Sequence, residues 1–184
     1  MIFSRGFLLD GIKTTSIKME LSLVLERLKA TIEKMKTLKN TQFHYSVFVS
    51  KYDEKSECGT VCCVAGWYGN WFKEHGFFYY QENHFFDFRS IGRKTESGVN
   101  YEIGEILGEY HGLSYSIIST LFYGKDLRCE NGTLVDNSIL NGLPNVIRVF
   151  ERVYELLEKE VITPEYDFIT EEMLDENEYD DDYE

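Results

Sequence analysis

The stretch "CGTVCCVAGW", residues 58–67, sets three cysteines, two glycines and a tryptophan within ten positions, and the reading of the fold turns on it. Continued through "YGNWFKE" it predicts a helix from residue 59 to about 74, with His75-Gly76 as its stop. At about 3.6 residues per turn, Gly59, Cys63, Gly66 and Asn70 share a narrow stripe of small side chains. Val61, Val64, Tyr68, Trp71 and Phe72 lie opposite. A helix that is apolar nearly all round is a buried one, so this segment is expected at the centre of the core. On that reading Cys62 and Cys63 are small core hydrophobes.

Other elements follow outward from that centre. Upstream, Leu21, Leu25, Leu28, Ile32 and Met35 step by four and three, which predicts an amphipathic helix over 19–39. "QFHYSVFVSKY", 42–52, alternates and reads as a strand, while "FFYYQENHFFDFRS", 77–90, reads as a hairpin turning near 81–83. Residues 95–99 read as loop. Two short helices, 100–112 and one opening at Ser114 as its N-cap, follow. Their helix–turn–helix shape lacks the basic second helix that DNA recognition requires, since Ser116, Ser119 and Thr120 stand there. Residues 124–142 read as a polar loop in which Asn131-Gly132-Thr133 marks a turn. Pro144 opens a last helix, 143–162, with Val146, Val149, Phe150, Val153, Leu157 and Val161 on its core face. The predicted fold class is α+β: a helix-dominated single domain with a buried central helix and a small antiparallel sheet over 42–50 and 77–88. A loosely attached extension, 1–18, precedes a globular body, 19–163. An acidic disordered tail, 164–184, follows it.

The formal charge of -13 over 184 residues is concentrated in that tail. Residues 164–184 hold eleven acids and no Lys or Arg, so the body is close to neutral. A solvated acidic tail disfavours direct contact with a nucleic-acid backbone, which calls for a basic face. The opening residues are interrupted by Arg5, Asp10 and Lys13 and do not form a signal-peptide core. No apolar run approaches a membrane span, and four cysteines fit free thiols in a reducing cytoplasm. The partners expected are a small anionic ligand or a host protein, with no membrane and no direct nucleic-acid contact. A homo-oligomer is left open. No cofactor is implied.

The candidate site is the start of the cysteine helix. Cys58, Gly59 and Thr60 would present unpaired N–H groups, a hydroxyl and a close backbone approach to a phosphate or carboxylate, with Trp67 supplying a ring. Cys58 is also the one catalytic candidate if the protein is an enzyme, because the same N–H groups would stabilise its thiolate. His44, His75, His84 and His111 are the bases it would need. The run lacks the spacing of the papain-type signature. Cys58 and Cys62 with the isolated Cys129 do not form a zinc frame, so no metal is expected.

Cys58-Gly59-Thr60, Cys63, Gly66-Trp67, then "NWFKEHGF" at 70–77, then Gly112-Leu113-Ser114 with Leu121-Phe122, form an ordered set of motifs. Over residues 40–160 the chain resembles small uncharacterised proteins of phages, prophages and bacterial accessory genomes. The resemblance implies a context rather than a chemistry: a phage-type accessory protein that acts on a host function or defence. Joined to the anion-binding helix start, it yields the expected function. This is a non-enzymatic binder that sequesters a small anionic, nucleotide-derived signal. The alternatives are an inhibitor or adaptor that uses surface helices or the acidic tail, and a Cys58-dependent enzyme.

Overall fold

In the computed structural model, residues 19–43, 63–80, 90–130, 132–137 and 142–167 are described. They form an α+β domain dominated by helices, with a three-stranded and a two-stranded antiparallel sheet. The strand expected at 42–50 falls largely outside these residues. Gln42 itself closes a 3-10 turn, Asn40–Gln42.

Helix α1, Leu21–Lys36, forms where sequence periodicity placed it. Its buried side is rotated from the expected one: Val24, Leu28, Thr31, Ile32 and Met35 are buried, whereas Leu21 and Leu25 are only half-buried. The rotation has a polar cause, because Thr31 is drawn into the core by hydrogen bonds described below. Helix α5, Leu143–Glu158, packs along α1, and Lys36 reaches Glu151 across the pair at 2.9 Å. Burial of Val146, Val149, Phe150, Val153, Leu156 and Leu157 stabilises it through its apolar face. It ends four residues earlier than expected. The chain reverses at Glu160 (φ 54°), which leaves Val161 56% exposed rather than in the core.

The central helix, α2, runs over Val64–Trp71, shorter than the 59–74 read from sequence. Cys63 is its N-cap in extended backbone, so the helix begins five residues later than expected. It is buried from Val64 through Gly69, as an all-apolar helix must be. A close approach falls at Gly69, where the Tyr79 ring lies 2.6 Å from where a Cβ would stand. A 3-10 turn, Lys73–His75, then leads to Gly76.

Strand β1, Phe77–Tyr80, pairs antiparallel with β2, Ser90–Thr95, which pairs with β3, Gly98–Asn100. Residues expected to be loop, 95–99, are therefore the tight turn and edge of this sheet. The partner of β1 is 90–95, while residues 81–89 lie outside the described set. Gly76 hinges helix to sheet at φ 86°, and a Cβ there would sit 2.1 Å from the Lys94 carbonyl oxygen. That oxygen belongs to backbone held by the Lys94 N–H to Gly76 carbonyl bond at 2.9 Å. Gly76→Ala is expected to cost about 3 kcal/mol, from the left-handed backbone and the overlap together. Urea unfolding of the variant measures it.

Helices α3, Ile103–His111, and α4, Tyr115–Tyr123, form the expected pair. Ser114 caps α4 by accepting the Ile117 N–H at 3.4 Å. The region read as loop over 124–142 carries a hairpin, β4, Leu127–Cys129, with β5, Gly132–Val135. Leu127 and Val135 are buried, and Asn137 ties the hairpin to α4 by donating to the Thr120 carbonyl at 3.1 Å.

The chain beyond α5 stays with the body to Asp167. The Ser114 N–H donates to the Pro164 carbonyl at 2.8 Å and its hydroxyl to the Tyr166 carbonyl at 2.5 Å. Ser116 donates to the Asp167 carboxylate, and the Tyr166 hydroxyl to the Arg128 carbonyl at 2.7 Å. Residues 164–167, read from sequence as the start of the tail, are therefore bonded to the body. Chains ending after Asp167 are expected to melt as the full chain does. Chains ending at 163 lose these bonds and about 2 kcal/mol, which thermal denaturation of both truncations tests.

Candidate functional site

Tyr68, fully buried on α2, is the centre from which the polar interior is built. Its ring packs against Phe72, Phe77, Tyr110, His111 and Phe122 at centroid distances of 5.0 to 6.0 Å. Its hydroxyl lies 2.9 Å from Thr31 Oγ1 on α1 and 2.7 Å from His111 Nε2 at the end of α3. Thr31 donates to the Arg27 carbonyl at 3.0 Å. With the Thr31 proton committed to Arg27, the arrangement that places a proton in both short contacts has Tyr68 donating to Thr31 and accepting from His111 Nε2–H. His111 Nδ1 is then a bare lone pair, buried and without a partner. Burial, then the positive charges of Arg27 and Arg93, hold the His111 pKa down at about 3. Burial also pushes the Tyr68 phenol well above its ordinary range. Both groups are neutral at pH 7.

Two arginines border this interior. Arg27, from α1, donates to the Tyr110 carbonyl and lies 4.6 Å from the centre of the Tyr110 ring. Arg93, from β2, lies 5.3 Å from the same ring and 5.5 Å from that of Phe77. The strand's alternation explains its placement: Ile91 and Arg93 share the inner face, and Arg93 is only 15% exposed. Its Nε donates to the His75 carbonyl at 3.3 Å. Among the described residues its ion-pair partner is the Glu109 carboxylate, 3.9 Å away and 59% exposed. Among the described residues Arg27 forms no ion pair within 4 Å. Attraction to an aromatic face contributes about 0.5–2 kcal/mol per cation. It supplies no acceptor for the N–H groups. Burial, and then the field of Arg27, pull the Arg93 pKa down, while Glu109 offsets part of this.

The residues singled out from sequence fall elsewhere. Cys58, Gly59 and Thr60 lie outside the described residues, as do Cys62, His44 and His84. Trp67 is buried, donates its indole N–H to the Gln42 carbonyl at 3.2 Å and stacks on Trp71 at 5.7 Å. Its polar atom and one ring face are thus occupied within the protein. Helix α2 has Cys63 as its N-cap. There burial pushes the thiol pKa up, against a smaller opposing effect from the Gly66 and Ala65 N–H groups. A protonated, half-buried thiol is a poor nucleophile. Among the described residues no three His, Cys, Asp or Glu side chains are grouped to hold a metal ion. No helix among them is long and apolar enough to cross a membrane.

Arg27 and Arg93 did not emerge from the sequence. The apolar spacing of Leu21, Leu25, Leu28, Ile32 and Met35 puts Arg27 off the core face of α1. The available signal was its spacing, four residues before Thr31, on a helix whose true inner face is centred on Val24, Leu28 and Thr31.

A groove of about 340 Å³ lies between β5 and α5, lined by Leu134, Val135, Val149, Arg148, Arg152 and Glu155 among others. Its charges are of both signs and partly paired, Arg152 with Glu155 at 3.5 Å, so it selects no ligand charge.

Compared with known proteins, the chain matches no family model, no curated protein and no solved structure. The fold and site therefore define its class: a helix-dominated α+β domain with two half-buried guanidiniums gathered over one buried tyrosine.

Proposed function

We propose that the protein is a non-enzymatic binding protein for a small anionic ligand. The observation that supports this is the pair Arg27 and Arg93 on the Tyr110 ring. A guanidinium carries five N–H donors. Arg27 directs its donors at the Tyr110 carbonyl and, at 3.4 Å, the Met19 sulfur, and Arg93 directs one at the His75 carbonyl. Most of their donors meet no described acceptor. Among the described residues Arg27 has no carboxylate within 4 Å and Arg93 has only the exposed Glu109 at 3.9 Å; two partly desolvated like charges so weakly countered are costly, and a bound anion would offset that cost. The resemblance seen in the sequence motifs gives the reading its setting, a phage-type accessory protein that removes an anionic host signal.

Native mass spectrometry before and after exposure to a nucleotide-rich cell extract tests the reading. A retained mass of a few hundred daltons that is lost in Arg93→Gln is expected. An unchanged apo mass in both conditions would count against it and turn attention to a protein partner.

A further inference from the structure

We infer that the group held between Arg27 and Arg93 is a dianionic phosphoryl group rather than a single carboxylate. The inference rests on the anion-binding reading above and narrows it to a ligand class. Two cations approach one ring, at 4.6 and 5.3 Å from its centre, from elements far apart in sequence. A carboxylate has one charge and two oxygens, which a single guanidinium fork already fills. It would leave the second cation as it is now. A terminal phosphoryl group carries close to two charges near neutral pH and three oxygens, so it can accept from both forks.

The surrounding charges define the competition. Glu109 stands 3.9 Å from Arg93, while Glu26 and Glu74 are close enough for their charge to be felt at Tyr110. All three are exposed and free to swing toward solvent. His75, also exposed, packs its ring 5.4 Å from Tyr110 and adds a donor at the rim. A phosphoryl group must displace the weak Glu109 contact. Removing that carboxylate should therefore tighten binding, an effect that a purely structural staple of arginines on a tyrosine would not produce.

The test uses the full chain at pH 7.5 and constant ionic strength, with calorimetric titration of inorganic phosphate, methyl phosphate and acetate. Saturable binding of both phosphates and none of acetate is expected. Glu109→Gln, a surface change, should tighten phosphate binding about threefold. Arg27→Lys and Arg93→Lys, which keep the charge and lose the fork, should each weaken it about tenfold. Equal binding of acetate and phosphate would overturn the phosphoryl assignment and leave the anion-binding reading standing. Absence of saturable binding by any of the three would overturn both. Phosphate affinity unchanged in Glu109→Gln and in both lysine variants would place the anion elsewhere and overturn the assignment to this site.

Discussion

Lowering the pH from 7 to 5 is expected to destabilise the protein by about 2 kcal/mol through His111 alone. In the folded chain His111 stays neutral until about pH 3, whereas the unfolded chain takes up the proton near the ordinary value of 6.5. Between those values the unfolded state binds more protons, so stability rises with pH and falls as acid is added. The slope approaches about 1.4 kcal/mol per pH unit. It flattens above 6.5, where neither state is protonated, and below about 3, where both are. Carboxylates begin to titrate below pH 5, so the informative window is 7 to 5. Urea unfolding across that window should show the slope in the native chain and its loss in His111→Phe. An unchanged midpoint in the native chain would mean that His111 has a charged-state partner in solution.

Tyr68→Ala is expected to cost about 4 kcal/mol, the range for deleting a large ring from a packed interior. Phe72, Phe77, Tyr110 and Phe122 all rest on that ring, so little of the space can close. Tyr68→Phe separates the hydroxyl from the ring. It keeps the volume and leaves His111 with neither nitrogen bonded, at a cost of about 2 kcal/mol. Adding His111→Phe to Tyr68→Phe should return part of that loss, because the orphaned partner is gone too. Strict additivity in this double-mutant cycle would mean that the hydrogen bond contributes nothing beyond packing.

The helices were legible because each carries a periodic face or a cap: α1 and α5 by their apolar stripes, α4 by Ser114, α3 by its turn at Gly112. The central helix shows the limit of that signal. An element apolar on every side has no phase, so nothing local distinguishes extended Cys63 from helical Val64. Strand β2 was missed because "SIGRKT" turns only Ile91 and Arg93 inward, and an arginine on the inner face defeats the alternation rule. The hairpin β4–β5 is three and four residues long, too short for a pattern to form. The arginine pair is a property of topology. Residues 27, 93 and 110 meet only after α1, β2 and α3 have packed, and no spacing along the chain records it.

The strap from Pro164 to Asp167 makes the start of α4 depend on residues about fifty positions downstream. During synthesis, Ser114 leaves the ribosome well before its partners exist, so the strap closes over the α3–α4 corner only after α5 is complete. The amide proton of Ser114 is shielded by the Pro164 carbonyl alone. Its exchange with solvent therefore reports the strap lifting from the body, separately from the slower opening of the core beneath it.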